Sequence, residues 1–230
     1  MNFMEYGIII PTQEEAVGVP EKTDAAIVCG YGAGKAAGCA AAAEVIFRHG
    51  CRTILLWGSV GATTNSGLKP GDVLVASKAA YRDFDLTPAL GCTRVGEVPG
   101  FTAGWIDCDA ILTGKLRRAL AQLLPDAYRK EEFPLASGDR FYIPEAAEAN
   151  CIEKDALIYD MEAAALLHFG KMLNDKMQMN IKIGIVKVIS NLPQDENSHD
   201  FAAAAHKYCR PLNAAIPQLI KMLKEQEHPN

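Results

Sequence analysis

The sequence predicts an α/β protein built around a largely parallel sheet. Short apolar runs with the length and composition of buried strands alternate along the chain with stretches of helical periodicity. Alternation of this kind builds right-handed βαβ units, which place neighbouring strands parallel in one sheet. The chain has 230 residues and contains neither a low-complexity linker nor a repeat. We therefore expect a single domain spanning residues 1–230.

Five runs are predicted as strands and four stretches as helices. The strands are YGIII (6–10), AAIVC (25–29), TILLW (53–57), DVLVA (72–76) and KIGIVKVI (182–189). The helices span about 34–49, 110–124, 160–173 and 200–227. The stretch 80–105 is rich in Gly, Pro and Thr and is predicted to be an ordered active-site loop, not a domain boundary. Ligands of such sheets are expected at the carboxyl ends of strands.

The composition argues against several classes of protein. The net charge is −5 and no block of Lys or Arg stands out, so neither nucleic acid nor a membrane surface is expected as a partner. Seven cysteines are scattered without a CxxC pair or zinc spacing, which predicts reduced thiols, no metal and a cytoplasmic location. The N-terminus lacks a basic region, and no apolar run reaches the roughly 18 residues of a membrane span.

The glycine-rich stretch CGYGAGKAAG (29–38) follows a predicted strand and opens a predicted helix. As a P-loop it fails, because Cys29 stands where the first glycine belongs and Ala36 replaces the Ser or Thr. The run from Gly32 to Ala37 fits a relaxed dinucleotide fingerprint, but the next strand ends at Trp57 without an acid to hold a ribose. We therefore predict no cofactor here, only a tight turn packed close to the sheet.

Polar stretches at the ends of the predicted elements carry the functional signal. They are GIIIPTQEEA (7–16), LLWGSVGATTNSGLKPGDVLV (55–75), YRDFDLTP (81–88) with PGFTAGW (99–105), SGDRFYIP (137–144) and YDMEAAALLH (159–168). In this order, and over nearly the whole chain, they resemble the methylthioadenosine/S-adenosylhomocysteine nucleosidases. These enzymes form part of the wider purine nucleoside phosphorylase/hydrolase superfamily.

The resemblance implies a three-layer αβα sandwich with a central mixed, largely parallel sheet. It also implies a homodimer that needs no cofactor and acts on a small purine nucleoside. The reaction would be hydrolysis of the bond between the purine and C1′ of ribose. Such a bond breaks through an oxocarbenium-like state, so the protein must hold the ribose, activate a water and help the purine to leave.

Three residues match the family's sugar and water site. Glu15, just past a buried strand, matches the general base that activates the water, with a solvated acidic helix start, as expected for Glu14, as the alternative. Glu162, beside Met161 in the same motif, matches the glutamate that accepts hydrogen bonds from two ribose hydroxyls. Its alternative role is to stabilise the first turn of a helix, which Asp160 would also serve. Ser59 matches a serine that contacts the sugar or the water, with a simple turn serine as the alternative.

Three further residues match positions around the base and the 5′ substituent. Phe141 matches the aromatic that stacks on the purine, although a core phenylalanine is the alternative. The backbone of Tyr142 would read the base edge. Trp105 matches an aromatic that reaches into the partner subunit's site to contact the 5′ substituent, or else packs in the dimer interface.

The sequence favours water over phosphate as the nucleophile. Phosphorylases of the superfamily hold phosphate with an arginine three residues before the serine that Ser59 matches, and Leu56 stands there in this chain. The N-terminal loop PTQEEA (11–16) is short and acidic, so it has no counterpart of the phosphorylases' arginine loop. Phosphate requires charge-assisted donors, and none is found at the matching positions.

One residue departs from the nucleosidase pattern. The family's strand ends Ser-Asp, and its Asp protonates the purine at N7, but here the strand ends Ser190-Asn191. An amide gives up no proton near neutral pH, and losing a general acid costs about 10²–10⁴ in rate.

Four interpretations of Asn191 stay open. Its NH₂ donates to O6 of a 6-oxopurine, as in futalosine hydrolases, while its carbonyl accepts from a protonated N7. Alternatively, methylthioadenosine is cleaved slowly with N7 protonated through water. The remaining two are a nucleoside-binding relative without turnover and a variant carrying one substitution. The nearby Asp195 is a conceivable acid, but a solvated loop charge is the plainer expectation.

Overall fold

The computed structural model describes residues 4–100, 104–141, 155–193 and 200–227. Its strands are β1 (Tyr6–Ile10), β2 (Ala25–Cys29), β3 (Thr53–Ala62), β4 (Val73–Ala76), β5 (Lys78–Tyr81), β6 (Ile106–Asp107), β7 (Leu135–Ser137), β8 (Ile158–Asp160) and β9 (Lys182–Asn191). Its α-helices are α1 (Lys35–Ala43), α2 (Thr87–Leu90), α3 (Ala110–Leu123), α4 (Ala163–Met177), α5 (Phe201–Ala214) and α6 (Ile216–Glu227). A π-helical turn, Glu44–Arg48, continues α1, and a 3₁₀ turn, Thr64–Ser66, follows β3.

One nine-stranded sheet holds all of these strands, and the long strand β3 is its centre. The first part of β3 lies parallel between β1 and β9, whereas its last two residues pair antiparallel with β8. A register irregularity at Val60 and Gly61 accompanies this change of partner. Five of the eight strand pairs in the described residues are parallel, so the mixed, largely parallel sheet is confirmed.

Helices cover both faces of the sheet, as the predicted sandwich requires. In β1, Ile9 faces the core under α1 and α4, whereas Ile8 and Ile10 face the core under α3, α5 and α6. Because successive strand residues point to opposite faces, a strand covered on both sides reads as a continuous apolar run. This is why β1 and β2 have the predicted boundaries.

Several element predictions were wrong for identifiable reasons. The single helix predicted over 200–227 is two helices that break at Ala215. Pro217 has no N–H to continue the hydrogen bonds of α5 and lies in the first turn of α6, where none is needed, whereas Pro211 is accommodated inside α5. The helix predicted from Asp160 begins at Ala163, since Asp160 ends β8. The short strands β5 to β8 were not predicted, because runs of two to four residues carry little periodicity.

Side-chain caps fix where the helices start. Asp109 accepts a hydrogen bond from the backbone N–H of Leu112 at the start of α3 (2.7 Å), and Asp200 accepts one from Ala203 at the start of α5 (3.0 Å). Across the described ranges, no helix has both the length and the apolar character that crossing a bilayer demands.

Candidate active site

A cleft of about 540 Å³ opens where strands β3, β8 and β9 and the segment after β1 come together. Six of the predicted site residues line it, namely Glu15, Ser59, Phe141, Met161, Glu162 and Asn191. The same cleft is lined by residues that sequence reasoning did not select, among them Thr12, Arg82, Arg140, Tyr159, Asp160 and Ser190.

Glu15 is a buried carboxylate, 4% exposed, that is held by four hydrogen bonds. Its Oε1 accepts from the backbone N–H and the hydroxyl of Ser59, both at 2.7 Å. Its Oε2 accepts from the backbone N–H of Thr12 at 3.2 Å and from its hydroxyl at 2.9 Å. A Cβ added at Gly58 would lie 2.7 Å from Oε1, so only glycine leaves room for this approach. Two hydrogen bonds therefore join Ser59 to the carboxylate of Glu15.

The backbone around Glu15 is fixed from the opposite side by Asn213 of α5. The fully buried Asn213 donates from Nδ2 to the carbonyls of Glu15 (2.7 Å) and Val17 (2.9 Å). Its Oδ1 accepts from Nε1 of Trp57 on β3 at 2.9 Å. One amide thus ties the segment that carries Glu15 to the strand that carries Ser59. Nothing in the local sequence indicated this role, since its partners lie 156 and more residues away.

Replacing Asn213 by alanine is expected to lower kcat about tenfold with little change in KM. The change leaves the carbonyl of Glu15 and the indole of Trp57 without their buried partner, which costs about 1–3 kcal/mol of stability and lets the carboxylate drift. Asn174→Ala is the matched control, because Asn174 likewise donates to one carbonyl (2.8 Å) and accepts from one N–H (2.6 Å), both of Ile181, outside the cleft. The kcat and the melting temperature of both variants are measured. Equal kcat losses in the two would contradict the role of Asn213 in positioning Glu15.

Glu162 is the N-cap of α4 and is 4% exposed. Its Oε1 accepts a hydrogen bond from the backbone N–H of Gly34 at 2.8 Å. A Cβ at Gly38 of α1 would lie 3.1 Å from the Cβ of Glu162. The glycine-rich turn that resembled a nucleotide fingerprint therefore packs against Glu162.

A buried lysine that sequence reasoning missed lies beneath this carboxylate. Nζ of Lys187, on β9, is 3.0 Å from Oδ2 of Asp160 and 3.9 Å from Oε2 of Glu162. Burial disfavours the ammonium, but Asp160, Glu162 and Glu15 outweigh it and raise the pKa of Lys187. Burial raises the pKa of Glu162 to about 8, although Lys187 opposes the shift. The local sequence around Lys187 predicts only a buried strand, because the acids that Lys187 contacts are distant in sequence.

Asn191 is the last residue of β9 and is 7% exposed. The hydroxyl of Ser190 lies 2.5 Å from Oδ1 of Asn191 and 3.3 Å from the carbonyl of Val60. The single hydroxyl proton serves the shorter contact, so it donates to the Asn191 carbonyl. Asn191 lines the cleft, and with its carbonyl engaged by Ser190 the NH₂ group is the part of the amide left to act as a donor.

The predicted aromatic positions are brought together only in part. Phe141 lines the cleft, is 57% exposed and meets Phe201 edge to face at 6.2 Å, so it is not a core phenylalanine. Tyr142 and Asp195 lie outside the described residues. Trp105 lines a separate depression, where Nζ of Lys78 lies 4.7 Å from its ring centroid. Its predicted contact in a partner subunit stays a prediction.

The sequence model of the phosphorylase superfamily matches residues 19–220. The chain belongs to the phosphorylase superfamily. A 5′-methylthioadenosine/S-adenosylhomocysteine nucleosidase of Listeria innocua is 27% identical over 175 residues, which cover 74% of this chain and 70% of the relative. The resemblance indicated by the sequence motifs is thereby confirmed.

Solved structures of superfamily members share the fold. A Borrelia burgdorferi protein assigned as a 5′-methylthioadenosine/S-adenosylhomocysteine nucleosidase, bound to adenine, superposes with a TM-score of 0.75 at 25% identity, covering 94% of this chain and 99% of that one. Futalosine hydrolase of Helicobacter pylori superposes with a TM-score of 0.71 at 19% identity, covering 97% and 98%. The second likeness shows the fold alone.

The positions of cationic groups bear on the expected choice of water over phosphate as the nucleophile. Leu56, at the position of the phosphorylase arginine, is fully buried in the core. The cleft nevertheless contains Arg82 and Arg140, which sequence reasoning did not select. Arg82 donates from Nη2 to the carbonyl of Arg140 and lies 5.9 Å from the ring centroid of Tyr159. These contacts tie Arg82 to the β7 and β8 side of the cleft.

In the described residues, no group of three or more His, Cys, Asp and Glu side chains is arranged to hold a metal ion.

Proposed function

We propose that this protein is a purine nucleosidase that uses water to cleave the base–ribose bond of nucleosides such as methylthioadenosine and S-adenosylhomocysteine, releasing adenine. The observation that carries the proposal is the pairing of two buried carboxylates, Glu15 and Glu162, on one cleft. The activity named for the Listeria innocua relative and the adenine bound by the Borrelia burgdorferi protein support it.

Glu15 is the proposed general base. Its four accepted hydrogen bonds fill the roughly four lone-pair positions of an ionised carboxylate. The two backbone donors are fixed, whereas the hydroxyls of Ser59 and Thr12 can rotate. An attacking water therefore takes the place of one hydroxyl at the carboxylate, and Glu15 removes its proton as the water adds to C1′. Ser59 thus holds the base in the empty site and yields its place to the water.

Glu162 and Asn191 are the proposed contacts to the two halves of the substrate. The Glu162 carboxylate accepts from the vicinal ribose hydroxyls, with Met161 beside it, and so holds C1′ in front of the water. The amide of Asn191 donates to N7 of the departing base. It stabilises the base without protonating it. The base leaves with the electron pair of the broken bond to C1′, and takes its proton from solvent at the nitrogen that this bond releases.

The assembly and location complete the proposal. We expect a homodimer of single-domain chains, residues 1–230, that acts in the cytoplasm without a cofactor. Trp105 of one subunit would contact the 5′ substituent bound by the other, and the backbone of Tyr142 would read the base edge above Phe141. Purine nucleosides are the expected small-molecule partners.

A second candidate is a 6-oxopurine nucleosidase such as futalosine hydrolase, and the orientation of Asn191 favours it. The edge of a 6-oxopurine presents two adjacent acceptors, N7 and O6, whereas adenine presents an acceptor and a donor. An NH₂ group whose carbonyl is engaged by Ser190 suits two acceptors. The contact with Ser190 is at odds with the expectation that this carbonyl accepts from a protonated N7.

The two candidates are separated by base release from methylthioadenosine, S-adenosylhomocysteine, inosine and futalosine, each with and without phosphate. We expect phosphate-independent release of adenine from the first two substrates. Release of hypoxanthine from inosine or futalosine alone would establish the second candidate. Release that requires phosphate would contradict both candidates.

A further inference from the structure

Four ionisable side chains form a buried cluster under the cleft. Three are acids, Glu15, Asp160 and Glu162, which are 4%, 7% and 4% exposed, and the fourth is Lys187 at 0%. With every group ionised, the cluster would carry two uncompensated negative charges on side chains that are at most 7% exposed. Buried charge without a partner is costly, and the usual response is protonation of one acid.

The contacts of the three acids identify which one takes the proton. Glu15 accepts four hydrogen bonds. Asp160 has the ammonium of Lys187 at 3.0 Å, the hydroxyl of Ser137 at 2.6 Å and the backbone N–H of Ala163 at 3.2 Å.

Glu162 is the least stabilised of the three as an anion. It accepts from one backbone N–H, that of Gly34 at 2.8 Å, and its distance to the ammonium of Lys187 is 3.9 Å. Glu162 therefore gains least from ionisation. Its pKa of about 8, raised first of all by burial, agrees with this ranking.

We propose that Glu162 holds a proton in the empty site at neutral pH and releases it when a ribose diol binds. The inference rests on the proposed function, which places ribose at Glu162. Two vicinal hydroxyls supply two donors that only the ionised carboxylate can accept on both oxygens. The proton of the carboxyl group passes to solvent, and the diol keeps both of its own protons. Nucleoside binding is thereby coupled to pH.

Glu14, Arg82 and Arg140 line the same cleft as Glu162, but they are not among the charged groups that shift its pKa. Asp160 on β8, Lys187 on β9 and Glu15 after β1 are the charged neighbours that act on its pKa. Helix α1 approaches Glu162 with Gly34 and Gly38. The nearby Lys35 is committed to Asp83 at 2.7 Å and Asp139 at 3.5 Å.

Calorimetry of a non-hydrolysable nucleoside tests the coupling. Formycin A has a carbon–carbon bond between base and ribose, and adenine is the control ligand without a diol. Titrations in two buffers of different ionisation enthalpy give the number of protons released. At pH 7 we expect close to one proton for formycin A and none for adenine. As the pH is lowered below about 8, the association constant for formycin A should fall about tenfold per pH unit. Glu162→Gln should abolish the release of the proton. Tight binding without proton release would overturn the proposal.

Infrared spectroscopy of the ligand-free protein provides a second test that does not depend on the nucleoside. The band of a buried protonated carboxyl should be present near pH 6.5, vanish as the pH is raised through about 8, and be missing from Glu162→Gln. A spectrum without that band would overturn the proposal. Should neither formycin A nor its 6-oxo counterpart formycin B bind, the proposed function would fail, and the infrared band would still decide the protonation of Glu162.

Discussion

Replacing Glu15 by glutamine is expected to lower kcat by about 10²–10⁴, the usual contribution of a general base. The amide keeps the shape of the side chain and can still accept from Ser59, but it cannot take a proton from water. KM should change little, because the proposed ribose contact is Glu162 and not Glu15. Single-turnover release of base from methylthioadenosine measures the effect on the chemical step.

Glu44→Gln is the matched control for this experiment. Glu44 also accepts strong hydrogen bonds, from the hydroxyl of Tyr31 at 2.5 Å and from Arg48 at 2.7 Å, but it does not line the cleft. Its substitution should leave kcat within a factor of about two, as expected for a residue remote from the chemistry. Glu15→Gln protein that is folded and retains near-normal kcat would remove Glu15 from the mechanism.

Replacing Asn191 by aspartate is expected to raise kcat for methylthioadenosine by about 10²–10⁴, because it supplies a general acid next to N7. The new carboxyl would be buried, as Asn191 is, and burial favours its protonated form. The hydroxyl of Ser190 can support it as it now supports the amide. Steady-state kinetics with methylthioadenosine and inosine, run side by side, provide the measurement.

Other results with Asn191→Asp would assign residue 191 a different role. A variant that gains no adenine release but loses hypoxanthine release would identify Asn191 as a reader of 6-oxopurines. An unchanged rate for both bases would show that residue 191 takes no part in departure of the base. Asn191→Ala serves as the control, since it removes the amide without adding an acid.

The sequence predicted those parts of the fold and site that depend on local pattern. β1 and β2 have the predicted boundaries because strands buried on both faces read as apolar runs. The cleft residues Glu15, Ser59 and Glu162 were found because each lies in a motif whose order along the chain follows the family.

The residues that sequence reasoning missed depend on distant partners. The role of Lys187 depends on its contacts with Asp160, at the end of another strand, and with Glu162, at the start of a helix. Asn213 lies in an ordinary amphipathic helix, and its three hydrogen bonds all join it to residues in the N-terminal half of the chain, namely Glu15, Val17 and Trp57. Arg82 follows a strand of four residues that was too short to be recognised. A local pattern cannot show such contacts, because they exist only once the sheet has formed.

The central claim is that water, activated by Glu15, attacks C1′ of a purine nucleoside in this cleft. It is tested most directly by incubating the protein with methylthioadenosine in phosphate-free buffer made with isotopically heavy water oxygen, and analysing the sugar by mass spectrometry. We predict free adenine together with methylthioribose that carries one heavy oxygen at C1. A sugar formed only when phosphate is added, and recovered as the 1-phosphate, would contradict the claim.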